Sequence, residues 1–433
     1  MSPGVNLLFK TQAFSLGLFC FALPFSIAGD DFAASLLYLS GIGLLALKQQ
    51  SWPRSPLNWL IPAFFFFAFA GTLFAEDPAS GFSSVRSFWR YALPFFLAMA
   101  LTEESLYRAL KILGLATLLI GLYAAVQHFT SLDVLRSARL QSEYEKEGAL
   151  WRAVGAFSHH LTFGGVNQLV WPLLWMLSWV QSLPKRDRWL FRIAGILSFF
   201  GAYASLGRSI WIGLFVSCLF LGALKLKRMS WILLLPVLMV ILGVYTLQNS
   251  PAMQEQVRKL PIGDRILMGI DKGHNVDRLN MWSAGLAAVS EHPVLGLGIN
   301  SGTSLQRYYD QITKETGIPF QHKAKTGVHN LFLQNWIEYG LLGSLALIAW
   351  WGYLFAQMFR HSRASSVFDV HQALRLGIMA GLLGSWSAAM FENNFRDGEV
   401  QSMILLTHGI AIYLIQIYKT EKITGDSTEK NLP

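Results

Sequence analysis

In Thr326-Gly-Val-His-Asn-Leu-Phe-Leu-Gln-Asn-Trp-Ile-Glu-Tyr-Gly-Leu-Leu-Gly343 a polar loop turns into an apolar helix. Upstream, from Pro251, runs a long polar segment rich in bases: Arg258, Lys259, Arg265, Lys272, Arg278, Arg307, Lys314, Lys323 and Lys325. Apolar blocks flank it on both sides. The rest of the chain is therefore read as a scaffold that holds this loop, with His329, over the outer surface of a membrane.

Composition supports that reading. Of 433 residues, 53% are hydrophobic and only 14% charged, where a soluble domain carries about a quarter. Apolar runs of about 17 to 25 residues recur, the length that crosses a hydrocarbon core of roughly 30 Å. They are continuous rather than alternating, which favours helices over barrel strands. The expected fold class is an all-α polytopic integral membrane protein. Its candidate spans are 12–28, 32–47, 58–74, 87–101, 108–127, 162–181, 189–204, 209–224, 231–247, 330–358, 372–391 and 400–417. The net charge of +9 arises largely from lysine and arginine flanking these spans, so no nucleic-acid partner is expected. Cys20 and Cys218 both lie in apolar runs, which argues against a disulfide framework. The first apolar run is followed closely by a second and reads as a helix rather than a cleaved leader.

Basic residues cluster after spans two, four, six, eight, ten and twelve, whereas the short loops on the other side are poor in them. The positive-inside rule then places both termini in the cytoplasm and the long loops, about 129–161 and 248–329, outside. Span ten is too long. Residues 330–358 would form a helix of roughly 43 Å at 1.5 Å per residue, so its first turns project into the outer aqueous layer or the helix tilts. Within the outer loop, Asn275 to His292 reads as an amphipathic helix, capped by Asn275 or Asp277 and ended at His292-Pro293. Arg278, Trp282 and Leu286 share a face. The tail from Thr420 is polar and reads as disordered.

Several residues stand out chemically. His329, at the N-terminus of span ten, is a candidate general base, because a helix N-terminus disfavours the imidazolium; the alternative is a histidine that caps the helix. Arg208, in Ser205-Leu-Gly-Arg-Ser-Ile-Trp at the outer end of a span, has the planar fork that suits phosphate oxygens; its alternative is a side chain snorkelling to headgroups. Arg278, Arg265 and Arg152 are further anion-binding candidates, with salt bridges or solvation as alternatives. Arg86 and Arg90 have weaker grounds. Asn330, Gln334 and Glu338 form a stripe expected to face the bundle. His159-His160 lack a ligand partner at metal spacing, and adjacent histidines point to different sides of a helix. The chain contains no Walker loop or dinucleotide fingerprint, so neither a metal nor ATP is indicated.

Three strings together resemble the O-antigen ligase superfamily: the His329 stretch quoted above; Arg278-Leu-Asn-Met-Trp-Ser-Ala-Gly-Leu followed by His292-Pro-Val-Leu-Gly-Leu-Gly; and Gly207-Arg-Ser-Ile-Trp-Ile-Gly. The superfamily comprises ligases that join O-antigen to lipopolysaccharide core, O-antigen polymerases and protein O-oligosaccharyltransferases. The resemblance implies a GT-C-like glycosyltransferase of about twelve transmembrane helices in the bacterial inner membrane, active on the periplasmic side. Residues 1–247 would hold helices one to nine, 248–329 the periplasmic catalytic loop, 330–418 helices ten to twelve and 419–433 a cytoplasmic tail. The donor would be a glycan on undecaprenyl diphosphate and the acceptor a sugar hydroxyl of the lipid A-core, joined by inverting transfer with no cofactor. His329 would match the family's base, and Arg208, Arg278 and, in less distinctive surroundings, Arg265 its diphosphate-binding arginines; Arg152 extends that cluster on its position before span six and not on the resemblance. Ligase ranks before polymerase, and a lipid-linked sugar transporter is the reading from another class.

Overall fold

The computed structural model describes residues 2–135, 146–147, 150–226, 234–270, 272–320, 322–365 and 367–429. The side chains of Arg86 and Arg265 lie outside the description.

Among the described residues the protein is all-α apart from one antiparallel strand pair, β1 (Lys146–Glu147) with β2 (Leu150–Trp151). The N-terminal block comprises α1 (Pro3–Ala22), α2 (Ile27–Ala46), α3 (Leu57–Leu73), α4 (Pro78–Val85), α5 (Leu93–Ala100) and α6 (Glu103–Thr130). Beyond the hairpin come α7 (His160–Leu177), α8 (Lys185–Ala204), α9 (Arg208–Leu226) and α10 (Leu234–Asn249). The polar segment folds into α11 (Pro251–Arg258), α12 (Gly263–Ile270), α13 (Lys272–Glu291) and α14 (Gly302–Thr316). The chain ends in α15 (Leu331–Ala364), α16 (Val370–Ala389) and α17 (Gly398–Glu429).

Four of these helices are long and apolar enough to cross a membrane: α1, α6, α15 and the Gly398–Tyr418 part of α17; α3, α9 and α10 are shorter apolar helices. The exterior carries large exposed apolar side chains, among them Phe14, Trp59, Phe66, Leu119 and Met239, which water would not cover cheaply and lipid does. Such a helical, lipid-suited exterior is that of a polytopic membrane protein. Inside, α7 packs against both α8 and α16, α9 against α16, α3 against α15, and α5 against α17. The apolar stretch of α17 is 83% buried, so protein rather than lipid surrounds this helix.

Each expected span contains helix, with three physical corrections. The stretch 87–101 is not one rod: it runs through a 3-10 turn over Arg86–Ala92 and then α5, because Pro94 cannot donate within a continuous helix. The long helix after His329 is broken at Gly340, whose φ of 66° lies in the left-handed region. The break gives a short helix, 331–339, and a long one, 341–364. Finally, the tail does not leave the helix at Thr420; α17 continues to Glu429, since no proline interrupts the chain before Pro433.

The break at Gly340 is filled by the segment His292–Gly298. The Leu297 amide donates to the Ile337 carbonyl at 2.6 Å, the Leu341 amide to the Pro293 carbonyl at 2.9 Å, and Trp336 Nε1 to the same Pro293 carbonyl at 3.0 Å. Backbone groups freed by the kink are thereby paired. A side chain on Gly340 would bring its Cβ to 2.0 Å from the Val294 oxygen, so the fit requires glycine.

The outer segment has a core of its own. Met281, Ala284 and Ala288 of α13 pack with Leu305, Tyr308, Tyr309 and Ile312 of α14, and with Val328 and Ile337. The helix expected over 275–292 is present, but it begins at Lys272 rather than at a cap on Asn275 or Asp277. Its buried face is the Met281 face, while Leu286 is exposed.

Candidate functional site

The backbone around His329 is fixed from several directions. Asn330 caps α15, its side chain accepting from the Leu333 amide at 3.1 Å. The Val328 amide donates to Gln334 Oε1 at 3.0 Å. Trp282 Nε1 donates to the Val328 carbonyl at 3.0 Å, and the Tyr309 hydroxyl to the Gly327 carbonyl at 3.2 Å. His329 itself has φ 48°, a left-handed conformation uncommon outside glycine. Such a conformation costs roughly 1–3 kcal/mol and persists only where surrounding contacts over-determine it; here those contacts come from α13, α14 and α15.

The histidine is aimed by a residue that sequence reasoning passed over. His329 Nδ1 lies 2.7 Å from Oε1 of Glu392, in the turn between α16 and α17. Both side chains are largely buried, at 19% and 10% exposure. Glu392 Oε2 in turn lies 3.9 Å from Arg278 Nη2. A carboxylate at Nδ1 accepts a hydrogen bond and so favours the tautomer with the proton on Nδ1, in which Nε2 presents its lone pair. Among the described residues Nε2 has no hydrogen-bond partner, although it is buried. Burial pushes the Glu392 carboxyl up, but the hydrogen bond and charge of His329, with Arg278, more than offset it and hold the group below the ordinary value of 4.5. Glu392 is therefore a carboxylate at neutral pH. It was legible only as an acid in the short loop Glu392–Glu399. A second missed neighbour is His322, whose ring centroid lies 5.1 Å from that of His329 and whose Nδ1 is 2.9 Å from Asp277.

The expected arginines divide into groups. Arg278 shares Glu392 with His329, as described. Arg208, the first residue of α9, donates from Nη1 to the Met268 carbonyl of α12 at 2.7 Å; its described hydrogen bond thus runs to the helix that carries Arg265. Leu206, two residues before Arg208, also has a positive φ, 53°, although it is fully buried. Strained backbone therefore accompanies both the histidine and this arginine. Arg152 follows β2, and the next amide, Ala153, donates to the Ala204 carbonyl at 2.8 Å, which sets Arg152 at the α8–α9 turn on the same side as Arg208. Arg90 makes a two-pronged contact with Asp31, at 2.6 and 2.7 Å, and so serves to join α2 to the turn before α5.

Other polar residues support the site. The stripe Asn330, Gln334 and Glu338 is buried and bonded: Gln334 Nε2 donates to Glu338 Oε1 at 3.0 Å, and Arg396 Nη2 lies 2.9 Å from the same oxygen. His159 and His160 do not diverge as helical neighbours would. His159 is the non-helical cap of α7, and the two rings lie 4.7 Å apart, with His160 Nδ1 bonded to the Ser205 carbonyl at 2.8 Å. Among the described residues no three His, Cys, Asp or Glu side chains group as metal ligands.

The arrangement can accept a proton at a buried, oriented nitrogen, beside cationic side chains that suit an anionic group. No curated protein matches the chain. Residues 193–348 match the family model for O-antigen ligase, a stretch that includes Arg208, Arg265, Arg278 and His329 but stops short of Glu392. The match over residues 193–348 supports the resemblance to the O-antigen ligase superfamily.

Proposed function

We propose that the protein is an O-antigen ligase. It moves a glycan from undecaprenyl diphosphate to a sugar hydroxyl of lipid A-core lipopolysaccharide on the periplasmic face of the inner membrane, with inversion and without metal or ATP. In this reading it has a GT-C-like fold of about twelve spans with both termini cytoplasmic. The observation that carries it is the His329–Glu392 pair with Nε2 unpartnered and Arg278 alongside.

The chemistry follows from those atoms. The acceptor hydroxyl attacks the anomeric carbon from the face opposite the diphosphate. Its proton passes to His329 Nε2, while Glu392 keeps the ring in register and stabilises the imidazolium that forms. The glycosidic C–O bond to phosphate breaks, and undecaprenyl diphosphate leaves with the electron pair. Charge growing on that leaving group meets fixed arginines. Arg278 shares Glu392 with the base; Arg208 and Arg265, on α9 and α12, and Arg152, beside the α8–α9 turn, would hold the rest of the diphosphate.

The test is purified protein in lipid with undecaprenyl-diphosphate glycan and O-antigen-free lipopolysaccharide, EDTA present and nucleotide absent, with His329→Ala alongside. Glycosylated lipopolysaccharide from the unaltered protein and none from the variant is the expected result. Lengthened lipid-linked glycan without lipopolysaccharide product would make it a polymerase. An intact donor in every reaction would return the transporter reading.

A further inference from the structure

One face of α8 leads from a cluster of charges into an apolar groove. Lys185, Arg188, Trp189 and Arg192 stand at i, i+3, i+4 and i+7, hence on one face, and line a cup of about 210 Å³. The cup lies at the start of α8, and the turn that leads to Arg208 lies at its other end. The 20 residues of α8 span roughly 30 Å at 1.5 Å per residue, the thickness of a bilayer core, so the cup is a membrane's width from that turn. Further along the same face, Gly195, Ile196 and Phe199 join Trp171 and Trp175 of α7 and Cys218 of α9 around an apolar groove of about 330 Å³. A tryptophan pair links the two: Trp175 lines the groove, Trp179 packs on Arg192, and their ring centroids lie 5.8 Å apart, edge to face.

We propose that cup and groove together bind an anionic phospholipid, with its phosphate in the cup and an acyl chain in the groove. The cationic groups are held in place. The Arg192 guanidinium lies 5.2 Å from the Trp179 ring centroid and 5.0 Å from that of Trp189, and Arg188 donates from Nη1 to Gln181. They also have donors to spare. The bond from Arg192 Nη2 to the Ser178 carbonyl is long, at 3.5 Å, and Nε of both arginines is buried without a partner. No protein charge answers them. Asp187 accepts from the Tyr107 hydroxyl and lies 3.1 Å from Lys111 of α6. Among the described residues no carboxylate pairs with Lys185, Arg188 or Arg192. Three of the first four residues of α8 are basic, where the helix dipole favours acids, so an anion relieves the arrangement. Topology alone asks only for lysine and arginine in water; it does not ask for a cup, an aromatic clamp and a groove beneath them. A free phosphate would have no use for the groove, and a neutral lipid none for the cup.

The test counts lipids bound to the delipidated full chain in detergent by native mass spectrometry. Dioleoyl phosphatidylglycerol is expected to bind about tenfold tighter than dioleoyl phosphatidylcholine, and glycerol phosphate, a headgroup without chains, to leave no adduct. Arg188→Gln and Arg192→Gln should each weaken phosphatidylglycerol binding about tenfold, and Ile196→Trp, which fills the groove, should weaken it too. Arg186→Gln removes the same charge from a residue that does not line the cup, and should leave binding unchanged. Thermal unfolding without lipid, like that of the unaltered protein, shows that the variants are folded. Equal affinity for the two lipids, an equal loss in Arg186→Gln, or full binding by both cup variants overturns the proposal. Glycerol phosphate bound as tightly as the lipid would make this a site for a soluble anion and overturn the lipid assignment.

Discussion

The two halves of α15 stand on either side of Gly340 and differ in how much polar surface they bury. Residues 331–339 bury Gln334, Asn335 and Glu338, and Gln334 and Glu338 are bonded to each other. Residues 341–364 bury Trp350, Trp351, Leu354 and Met358 in the main apolar core. The first half is covered by the α13–α14 core and by the His292–Gly298 segment, and its polar side chains find partners in the Val328 amide, Arg396 and the Pro293 carbonyl. The second half is covered by α3 and α16, which supply apolar ones. A chain entering a bilayer can carry buried polar side chains only while protein, rather than lipid, surrounds it. The break at Gly340 lets the short half turn independently, so that its N-terminus delivers His329 to Glu392 instead of following the bundle axis.

The most direct way to break this division is at Glu392. Glu392→Gln keeps the shape but removes the charge that fixes the Nδ1 proton. Transfer is expected to fall on the order of a hundredfold or more, the scale of a general-base contribution, with donor binding little changed. The sign of the pH effect is fixed by the depressed carboxyl value. A carboxyl lowered by folding adds stability that is present above its unfolded value and lost as pH falls through its folded value. The unaltered protein should therefore lose stability below about pH 4.5 through this group, and the glutamine variant should lack that component. Denaturation midpoints across pH 3 to 7 check it; equal acid sensitivity would show that Glu392 is not held as a carboxylate.

Gly340→Ala tests the break itself. The backbone there has φ 66°, and the new Cβ would sit 2.0 Å from the Val294 oxygen. A loss of roughly 1–3 kcal/mol from the conformation alone is expected, with reduced transfer because the His292–Gly298 segment must shift. Thermal unfolding in detergent, compared with Gly352→Ala, measures it. A Cβ at Gly352 meets nothing, so this second variant should be silent; equal effects at both glycines would mean that the kink has no special role.

Much of this architecture is readable from the chain. Continuous apolar runs locate the helices, and the i, i+4, i+8 spacing of Asn330, Gln334 and Glu338 identifies a polar face before any contact is known. The candidate base is visible because a loop rich in lysine and arginine ends at it. The kink was hidden: Tyr339-Gly-Leu-Leu-Gly343 keeps an apolar pattern straight through, and glycine is common inside membrane helices, so its φ depends on a segment some forty residues earlier. Glu392 was hidden for the same kind of reason. It lies 63 residues from His329, and one acid in Phe-Glu-Asn-Asn-Phe-Arg-Asp-Gly-Glu has no local mark to distinguish it from Asp397 or Glu399. Periodicity reports which face of a helix is buried; it does not report what arrives from elsewhere to meet it.

Asn330→Ala is the mildest change and separates helix formation from aim. The Asn330 carboxamide satisfies the Leu333 amide, one of the donors that a helix start leaves without an intrahelical partner. Losing such a cap costs about 1 kcal/mol. The short half of α15 is nevertheless anchored independently by Trp336 on Pro293 and by Gln334 on Val328 and Glu338, so the variant should remain folded. If His329 is aimed mainly by Glu392, transfer should drop only a few-fold, in proportion to the small loss of order. A collapse of transfer as deep as that of Glu392→Gln, with stability barely altered, would mean that the helix cap aims the ring and the carboxylate follows it.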